Sequence, residues 1–294
     1  MQEDSPQKFT DLKGAYLGQE LPGATPVVFA PGIISVDSTI EHGSPAFSPD
    51  GKEVFWQSNH RHQDRETEIF VMTMRQIDGR WTKPTTSPYG SMPSFSLDGN
   101  RLYFIPSNEI KEDSKGPYFV EKKGDSWSKT DCLDYISRYP ELKYTYSLSF
   151  TVDSTMYYFG YADGLETMNN FGIYRSELID GVYASPELLP PCINATAGSL
   201  NWTPFIAPDE SYLLFSSNRH YAQQDIFISF RQSDGTWTEA YNLGDAVNTD
   251  RGERFPTLSP DGKYLFFTRW VAPDNEDVMW VSTEIIDKLR EDHL

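Results

Sequence analysis

Apolar residues fall along the chain in short unbroken runs, each set off by polar stretches. Five of these runs are alike in length and content: Val54-Phe55-Trp56, Leu102-Tyr103-Phe104-Ile105, Met156-Tyr157-Tyr158-Phe159, Leu213-Leu214-Phe215 and Leu265-Phe266-Phe267. A run without polar alternation is typical of a strand that is covered on both faces. The pattern therefore predicts five interior β-strands.

A recurring turn precedes each of these strands. It reads Ser-Pro-Asp-Gly at 48–51 and 259–262, Ser-Leu-Asp-Gly at 96–99, Thr-Val-Asp-Ser at 151–154 and Ala-Pro-Asp-Glu at 207–210. Proline presets φ in such a turn and glycine accepts a positive φ, so we interpret the turn, including its aspartate, as structural. The aligned aspartates are 48, 55, 56 and 52 residues apart. A period near 50 is typical of four-stranded propeller blades.

Each unit also predicts a third and a fourth strand. Third strands are expected around 69–71, 118–120, 172–174, 226–228 and 278–280. In the first four units a hairpin turn then leads to Trp81, Trp127, Tyr183 or Trp237, and we expect this aromatic residue to open the outer strand. The fifth unit lacks that element, whereas the strand-like segment 26–34 precedes the first unit. We predict that this N-terminal strand completes the last blade and closes the ring, which removes exposed sheet edges.

The fold class predicted from these patterns is all-β, a five-bladed β-propeller of four-stranded blades. The propeller is expected to occupy one domain over residues 24–288, preceded by an N-terminal extension at 1–23. Intervals of about 50 residues leave no room for a sixth blade.

The five turns, the apolar strands that follow them, and Ser217-Asn218-Arg219 with Asp225-Ile226-Phe227 resemble the PD40 repeat of TolB-type, WD40-like propellers. The likeness covers roughly residues 24–285. Blades 2 and 3 depart from the repeat, with Leu97 and Val152 at the proline position and Ser154 in place of glycine. The resemblance implies a propeller that is exported to the periplasm or the extracellular space. It leaves the function open, because similar propellers serve as protein-docking modules, peptidase gates and relatives of carbohydrate-active lyases.

Charge and cysteine content narrow the classes of partner. The 294 residues include 43 acidic and 25 basic ones, for a formal charge of −18, which disfavours nucleic acid and anionic membrane surfaces. No apolar run is long enough to span a bilayer. Cys132 and Cys192 are the two cysteines, and whether they pair is left open. A monomer is expected.

The topology of a propeller sorts its loops into two faces. The Pro-Asp-Gly turns and the short hairpins share one end, which we call the turn face. The longer connections share the other end, the loop face, where binding residues are expected. First strands begin at the channel mouth on the loop face, and this places Glu41, His42 and Glu253 as candidate catalytic groups. The candidate ligand-binding residues are Arg61, Tyr146, Asn201, Trp202, Arg219, Arg254 and Arg269.

Two functions fit this mouth. The first is an extracytoplasmic binding module for a protein, a glycan or a small polar or anionic ligand, recognised through arginine forks and aromatic rings. The alternative is a carbohydrate-active hydrolase or lyase with acid and base groups at the mouth. The structural alternative is that the charged residues form ion pairs with one another and plug the channel. No cofactor or metal ligand set is predicted, although a divalent cation at the mouth is left open.

Overall fold

The fold is seen in a computed structural model that describes residues 12–37, 39–61, 67–106, 116–162, 171–194, 199–219 and 223–293. In these ranges the chain forms five antiparallel sheets with a main path of four strands each, arranged as a propeller around a central channel, and one two-stranded sheet at the edge of the third blade. The predicted five-bladed β-propeller is confirmed.

The blades follow one another along the chain. Strand β1 is Val27–Val28, and blade 1 contains β2 (Ala46–Phe47), β3 (Glu53–Arg61), β4 (Thr67–Ile77), β5 (Arg80–Trp81) and β6 (Thr85–Thr86). Blade 2 contains β7 (Ser91–Phe95), β8 (Arg101–Ile105), β9 (Tyr118–Lys123), β10 (Ser126–Trp127) and β11 (Asp131–Cys132). Blade 3 contains β12 (Leu142–Phe150), β13 (Met156–Ala162), β14 (Phe171–Ser176), β15 (Leu178–Ile179), β16 (Val182–Tyr183) and β17 (Glu187–Leu188). Blade 4 contains β18 (Asn201–Ile206), β19 (Tyr212–Ser217), β20 (Asp225–Phe230) and β21 (Tyr241–Asn242), and blade 5 contains β22 (Glu253–Leu258), β23 (Tyr264–Ala272) and β24 (Asn275–Ser282). The helices are a 3₁₀ turn (Tyr16–Gly18), α1 (Tyr135–Arg138) and α2 (Glu284–His293).

The ring closes through the N-terminal strand, as predicted. Strand β1 pairs antiparallel with β24, with Val27 opposite Trp280 and Val28 opposite Met279. The Phe29 amide extends the ladder by donating to the Val278 carbonyl at 2.8 Å. The last blade therefore takes its outer strand from the opposite end of the chain.

The outer strands differ in one detail from the prediction. In the first three blades the aromatic residue belongs to a two-residue hairpin arm (β5, β10 or β16), and the outer strand pairs again a few residues later as β6, β11 or β17. The break lets the aromatic ring turn into the core: Trp81 is 3% exposed and belongs to the cluster between blades 5 and 1, with its ring edge to face against Phe47. Packing between blades thus interrupts the continuous ladder expected from the hairpin pattern.

The hydrophobic core consists of five clusters, one at each junction between neighbouring blades. The second strand of each blade contributes side chains to the clusters on both sides of that blade, because successive side chains point to opposite faces of a sheet. In β23, Phe266 packs toward blade 1, whereas Leu265 and Phe267 pack toward blade 4. This arrangement explains why the second strands are apolar without alternation.

The segment before residue 24 takes part in this core where it is described. Leu12, Tyr16 and Leu17 are buried in the cluster between blades 5 and 1. The Trp81 amide donates to the Leu12 carbonyl at 3.0 Å, and the Trp81 indole donates to the Gly14 carbonyl at 2.8 Å. Residues 12–17 thus help to hold the closing junction together.

The turns are built by local hydrogen bonds to the aspartate. In blade 2, the Ser96 hydroxyl donates to Asp98 at 2.6 Å and the Asn100 amide donates to the same oxygen at 2.9 Å. These bonds lower the pKa of Asp98, the bond from Ser96 most strongly. The arrangement recurs at Asp261, which accepts from Ser259 at 2.7 Å and from the Lys263 amide at 3.2 Å. The aspartates therefore hold the turns, as the repeat pattern predicts.

Candidate functional site

The innermost strand of each blade runs beside the central channel, and four of them share an irregularity. Register shifts fall after Ser91, Tyr146, Trp202 and Arg254. In each case the residue immediately after it takes a left-handed conformation, with φ of 53° at Met92, 56° at Ser147, 50° at Thr203 and 56° at Phe255. A bulge of this kind re-aims side chains and releases backbone groups from the ladder. Four of the five blades thus place a bulge in the channel wall.

Side chains of neighbouring strands bind some of the released groups. The Phe255 amide donates to the Ser216 hydroxyl at 3.2 Å, and Ser44 of blade 1 donates to the Phe255 carbonyl. Ser94 donates to the Leu148 carbonyl of blade 3 at 2.8 Å. These bonds join adjacent blades, so the channel wall is a connected surface.

A cavity of about 420 Å³ lies inside this wall. Its walls are largely apolar and include Pro93, Leu148, Pro204 and Phe205. His42 and Gln57 lie at its inner end, toward the loop face, and the turn residues Pro49, Leu97, Pro208 and Pro260 lie at its other end. The cavity therefore extends along the axis to the turn face, away from the mouth predicted on the loop face.

Exposed apolar side chains lie at the turn-face end of the cavity. Each blade has one at the position before the turn aspartate: Pro49, Leu97, Pro208 and Pro260 line the cavity, whereas Val152 of blade 3 lies outside its lining. Val152 is 75% exposed and Leu97 is 40% exposed. Blades 2 and 3 thus keep an apolar residue where they depart from the repeat's proline.

Arg254 is the centre of a polar cluster at the inner end. Its Nε donates to Oε1 of Glu276 at 2.7 Å and its Nη2 donates to Oε2 at 2.5 Å. Nη2 also lies 3.3 Å from Nδ1 of His42. The guanidinium lies between the rings of Phe255 and Trp270, 5.1 Å and 5.0 Å from their centroids. The positive charge is therefore paired and enclosed rather than held free for an anion.

Glu41 and His42 differ sharply in their surroundings. Glu41 is fully buried, and burial raises the pKa of its carboxyl to about 8. Thr39 donates to Oε1 of Glu41, whereas Oε2 has no hydrogen-bond partner in the described part of the chain. Burial, and next the charge of Arg254, lower the pKa of His42 to about 3. At neutral pH the imidazole is uncharged, and the Glu41 carboxyl is mostly protonated and out of reach of solvent.

Glu253 and Arg254 do not pair with each other, although they are adjacent. Glu253 accepts from Nε of Arg269 at 2.8 Å and from the amide and hydroxyl of Thr249 at 2.9 Å and 2.6 Å. Arg269 completes its bonding at the Val247 carbonyl, 2.8 Å away. Each charge thus finds its partner on another strand or loop, and both oxygens of Glu253 are occupied.

Arg219 and Asn201 join blade 4 to the connection from blade 3. Nη2 of Arg219 donates to Asn201 at 2.8 Å and to the Ile193 carbonyl at 2.5 Å, and Nη1 donates to the Cys192 carbonyl at 3.1 Å. The rings of Phe215 and Phe227 flank the guanidinium at 5.0 Å. This arginine binds backbone carbonyls and aromatic faces of its own chain.

The other candidates are aromatic or lie at the edge of the described residues. Tyr146 stacks on Tyr144 with centroids 5.7 Å apart, and burial raises its pKa. Trp202 is half-buried in β18, opposite Ser216. Arg61 ends β3 opposite Thr67, and its side chain lies outside the described atoms. Much of the loop face falls at 62–66, 107–115, 163–170, 195–198 and 220–222, also outside the described residues, so the predicted site on that face stays a prediction.

Glu276 is missing from the residues selected by sequence. Its neighbours Asn275 and Asp277 make the segment resemble a polar loop, but the hairpin of β23 and β24 continues to the pair Ala272–Asn275. The one available clue is the alternation Glu276, Val278, Trp280, which places Glu276 on the same side of the strand as two core residues.

Over the described ranges, no group of three or more His, Cys, Asp or Glu side chains is placed to hold a metal ion. Cys132 and Cys192 are not joined by a disulfide bond. No helix among the described residues has the length and apolarity to cross a membrane.

Neither a protein-family model nor a curated protein sequence matches the chain. Solved structures do match. A TolB-type protein of Agrobacterium tumefaciens is 18% identical over 82% of this chain and 77% of its own, with a TM-score of 0.51. TolB of Acinetobacter baumannii (16% identity, 84% and 55% covered, TM-score 0.45) and a thermostable family-43 glycoside hydrolase (14%, 83% and 88%, 0.49) are more distant. The chain is thus a five-bladed β-propeller with a TolB-like fold, and the likeness extends to the fold alone.

Proposed function

We propose that this protein is a non-catalytic binding module whose ligand enters the axial cavity from the turn face. The observation that carries the proposal is the cavity itself. Its volume of about 420 Å³ falls in the range of small-molecule sites, and its wall is largely apolar with a few polar groups. The exposed apolar residues at the cavity entrance, Pro49, Leu97, Pro208 and Pro260, extend this apolar surface onto the turn face.

The state of the charged groups favours binding over catalysis. A glycoside hydrolase needs two carboxyl groups facing the substrate. Glu253 is fully buried with both oxygens bonded, and Glu41 is fully buried beside Thr39. Neither carboxyl lines the cavity, and the carboxylate that does line it, Asp261, accepts from Ser259 and from the Lys263 amide within its turn. A molecule in the cavity therefore does not meet the facing pair of carboxyl groups that glycoside hydrolysis needs.

The extracytoplasmic location implied by the repeat resemblance is part of the same proposal. Fractionation of cells that make the natural gene product tests it. Recovery of the protein with the cytoplasmic fraction would contradict this part and leave the cavity untouched.

A single position tests the cavity. Thr257 lines the cavity. Its buried hydroxyl has no hydrogen-bond partner among the described residues, so replacing the side chain breaks no hydrogen bond to them. Phe205 occupies the aligned position of blade 4, which indicates that the bulged strand accommodates a phenyl ring. Thr257→Phe should narrow the cavity, whereas Thr257→Val keeps its size.

The probe is prodan, an uncharged naphthalene ketone whose emission shifts in apolar surroundings. We expect saturable one-to-one binding to the wild-type protein and to Thr257→Val, and at least tenfold weaker binding to Thr257→Phe. Circular dichroism and melting temperatures should show that both variants are folded. Equal prodan affinity in the two variants, or no saturable binding to the wild-type protein, would mean that the cavity is not a binding site.

A further inference from the structure

The proton on His42 can be placed from its neighbour. Arginine has only donors, so the Nδ1 atom that faces Arg254 at 3.3 Å must accept. A neutral imidazole that accepts at Nδ1 carries its proton on Nε2. Nε2 is on the part of the ring turned away from Arg254, and it has no hydrogen-bond partner in the described ranges. His42 is thus a fixed, unpaired donor.

His42 lines the inner end of the axial cavity, where it is half-buried. Its ring is held on one side by Phe255, edge to face at 4.8 Å, and at Nδ1 by Arg254. A ring fixed at two points presents its free N–H in a constant direction. A ligand that covers this N–H without offering an acceptor leaves a desolvated donor unpaired, which costs free energy, so the pocket favours a ligand that brings an acceptor to it.

The charges around the cavity favour an uncharged ligand. At the inner end, the charge of Arg254 is matched by Glu276, so no net positive charge attracts an anion. The turn face, on which the cavity opens, carries one turn aspartate from each blade, namely Asp50, Asp98, Asp153, Asp209 and Asp261, of which Asp261 lines the cavity. Turn hydrogen bonds outweigh burial and lower the pKa of all five, so they are ionised at neutral pH. Lys52 and Lys263 lie in two of these turns and leave the ring net negative.

We propose that the axial cavity binds an uncharged molecule with an elongated apolar body, and that Nε2–H of His42 donates a hydrogen bond to a carbonyl oxygen at its leading end. The inference rests on the proposed function and names the ligand class of the same cavity. An anion would pass five carboxylates to reach an already neutral cluster. A cationic head would meet a donor instead of an acceptor.

Two variants isolate the donor. His42→Phe keeps a ring against Phe255 and removes both nitrogens. His42→Gln keeps an amide oxygen able to accept from Arg254 and an N–H₂ able to donate into the cavity. The probes are methyl hexyl ketone, octanoate and octylammonium, which share an eight-carbon frame and differ in the head group. Their affinities are measured by calorimetry or by displacement of prodan.

We expect methyl hexyl ketone to bind best to the wild-type protein, about tenfold weaker to His42→Phe, and nearly normally to His42→Gln, as the loss and rescue of one hydrogen bond require. Nitrogen NMR should show Nε2 protonated and its resonance shifted by the ketone. If octylammonium binds as tightly as the ketone, or His42→Phe leaves ketone affinity unchanged, the inference is wrong. If Thr257→Phe still blocks prodan in that case, the proposed function stands. If it does not, both fail.

Discussion

Arg254 and Glu276 are joined by two parallel hydrogen bonds, of 2.7 Å and 2.5 Å, although one belongs to the innermost strand of blade 5 and the other to its third strand. Glu276 is fully buried, and the guanidinium is enclosed by Phe255 and Trp270. The pair therefore crosses the middle strand of the blade and fixes both neighbours. Thr268 of that strand adds a donor to the same carboxylate.

Loss of Arg254 should consequently affect stability. Arg254→Ala leaves a buried carboxylate without its countercharge, so we expect the free energy of unfolding to fall by about 3 kcal/mol. Urea denaturation followed by tryptophan fluorescence measures the change. Lys123→Ala breaks the exposed ion pair with Glu121 and serves as the control, with no measurable change expected. A variant of Arg254 as stable as this control would show that the pair contributes nothing.

The blade count and the ring closure could be predicted because they rest on a pattern repeated five times. Packing between blades requires second strands that are apolar on both faces, and each of the five repeats contains such an apolar run. The polar cluster has no such repetition. Glu276 is a single residue in a polar segment, and the sequence does not reveal that the β23–β24 hairpin extends far enough to place it beside Arg254.

The separate partners of Glu253 and Arg254 could have been inferred. Adjacent residues in a strand point to opposite faces, so they cannot share one ion pair. Glu253 lies directly opposite Arg269 in the ladder, and Arg254 points the other way, toward Glu276. The bulges that follow were beyond prediction, because a left-handed Met92 or Phe255 carries no mark in the sequence comparable to glycine.

Closure of the propeller by the N-terminal strand should depend on the phenyl ring of Phe29. Phe29 is fully buried, and its ring centroid lies 4.9 Å from that of Phe266 and 5.0 Å from that of Trp280, both in blade 5. Phe29→Ala should reduce the free energy of unfolding by about 3–5 kcal/mol, whereas Val27→Ala, at a β1 residue that is 43% exposed, should cost much less. Thermal and urea unfolding measure both.

Removal of residues 1–35 extends this test. Without β1, the third strand of blade 5 has an unpaired edge, which favours aggregation. Size-exclusion chromatography of the shortened protein should show oligomers or a strongly lowered melting temperature. A monomer that melts like the full-length protein would contradict closure by this strand.

The turn aspartates should contribute to stability through their local bonds. Asp261→Ala removes the acceptor for Ser259 and for the Lys263 amide, and we expect a loss of about 1 kcal/mol, as for a lost helix cap. Asp261→Asn keeps one acceptor oxygen and should recover part of it. Because the folded-state pKa of Asp261 is lowered, its contribution is present above the ordinary pKa of 3.8 and is lost at lower pH. Equal stability of the Ala variant and the wild-type protein at pH 7 would argue against this role.

Glu41 predicts a particular dependence of stability on pH. Its pKa rises from 4.5 to about 8 on folding, because burial disfavours the charged form. Between these values the folded protein holds a proton that the unfolded chain releases, so stability should fall as pH rises, by up to about 1.4 kcal/mol per pH unit. His42 has the opposite effect, because its pKa falls from 6.5 to about 3 on folding. Between these two values the unfolded chain binds a proton that the folded protein does not, so stability falls as pH drops from 6.5 toward 3. The two effects oppose each other between pH 4.5 and 6.5.

Comparison with Glu41→Gln separates the two, because glutamine stays neutral and leaves His42 in both proteins. We expect the variant to be nearly as stable as the wild-type protein at pH 5 and increasingly more stable toward pH 8, since glutamine has no proton that the unfolded chain can release. Urea unfolding at several pH values between 5 and 8 measures the difference. If the free energies of unfolding of the two proteins change with pH in parallel over this interval, Glu41 does not take up a proton on folding. Its unpartnered Oε2 would then belong to an ionised carboxylate and not to a neutral carboxyl group.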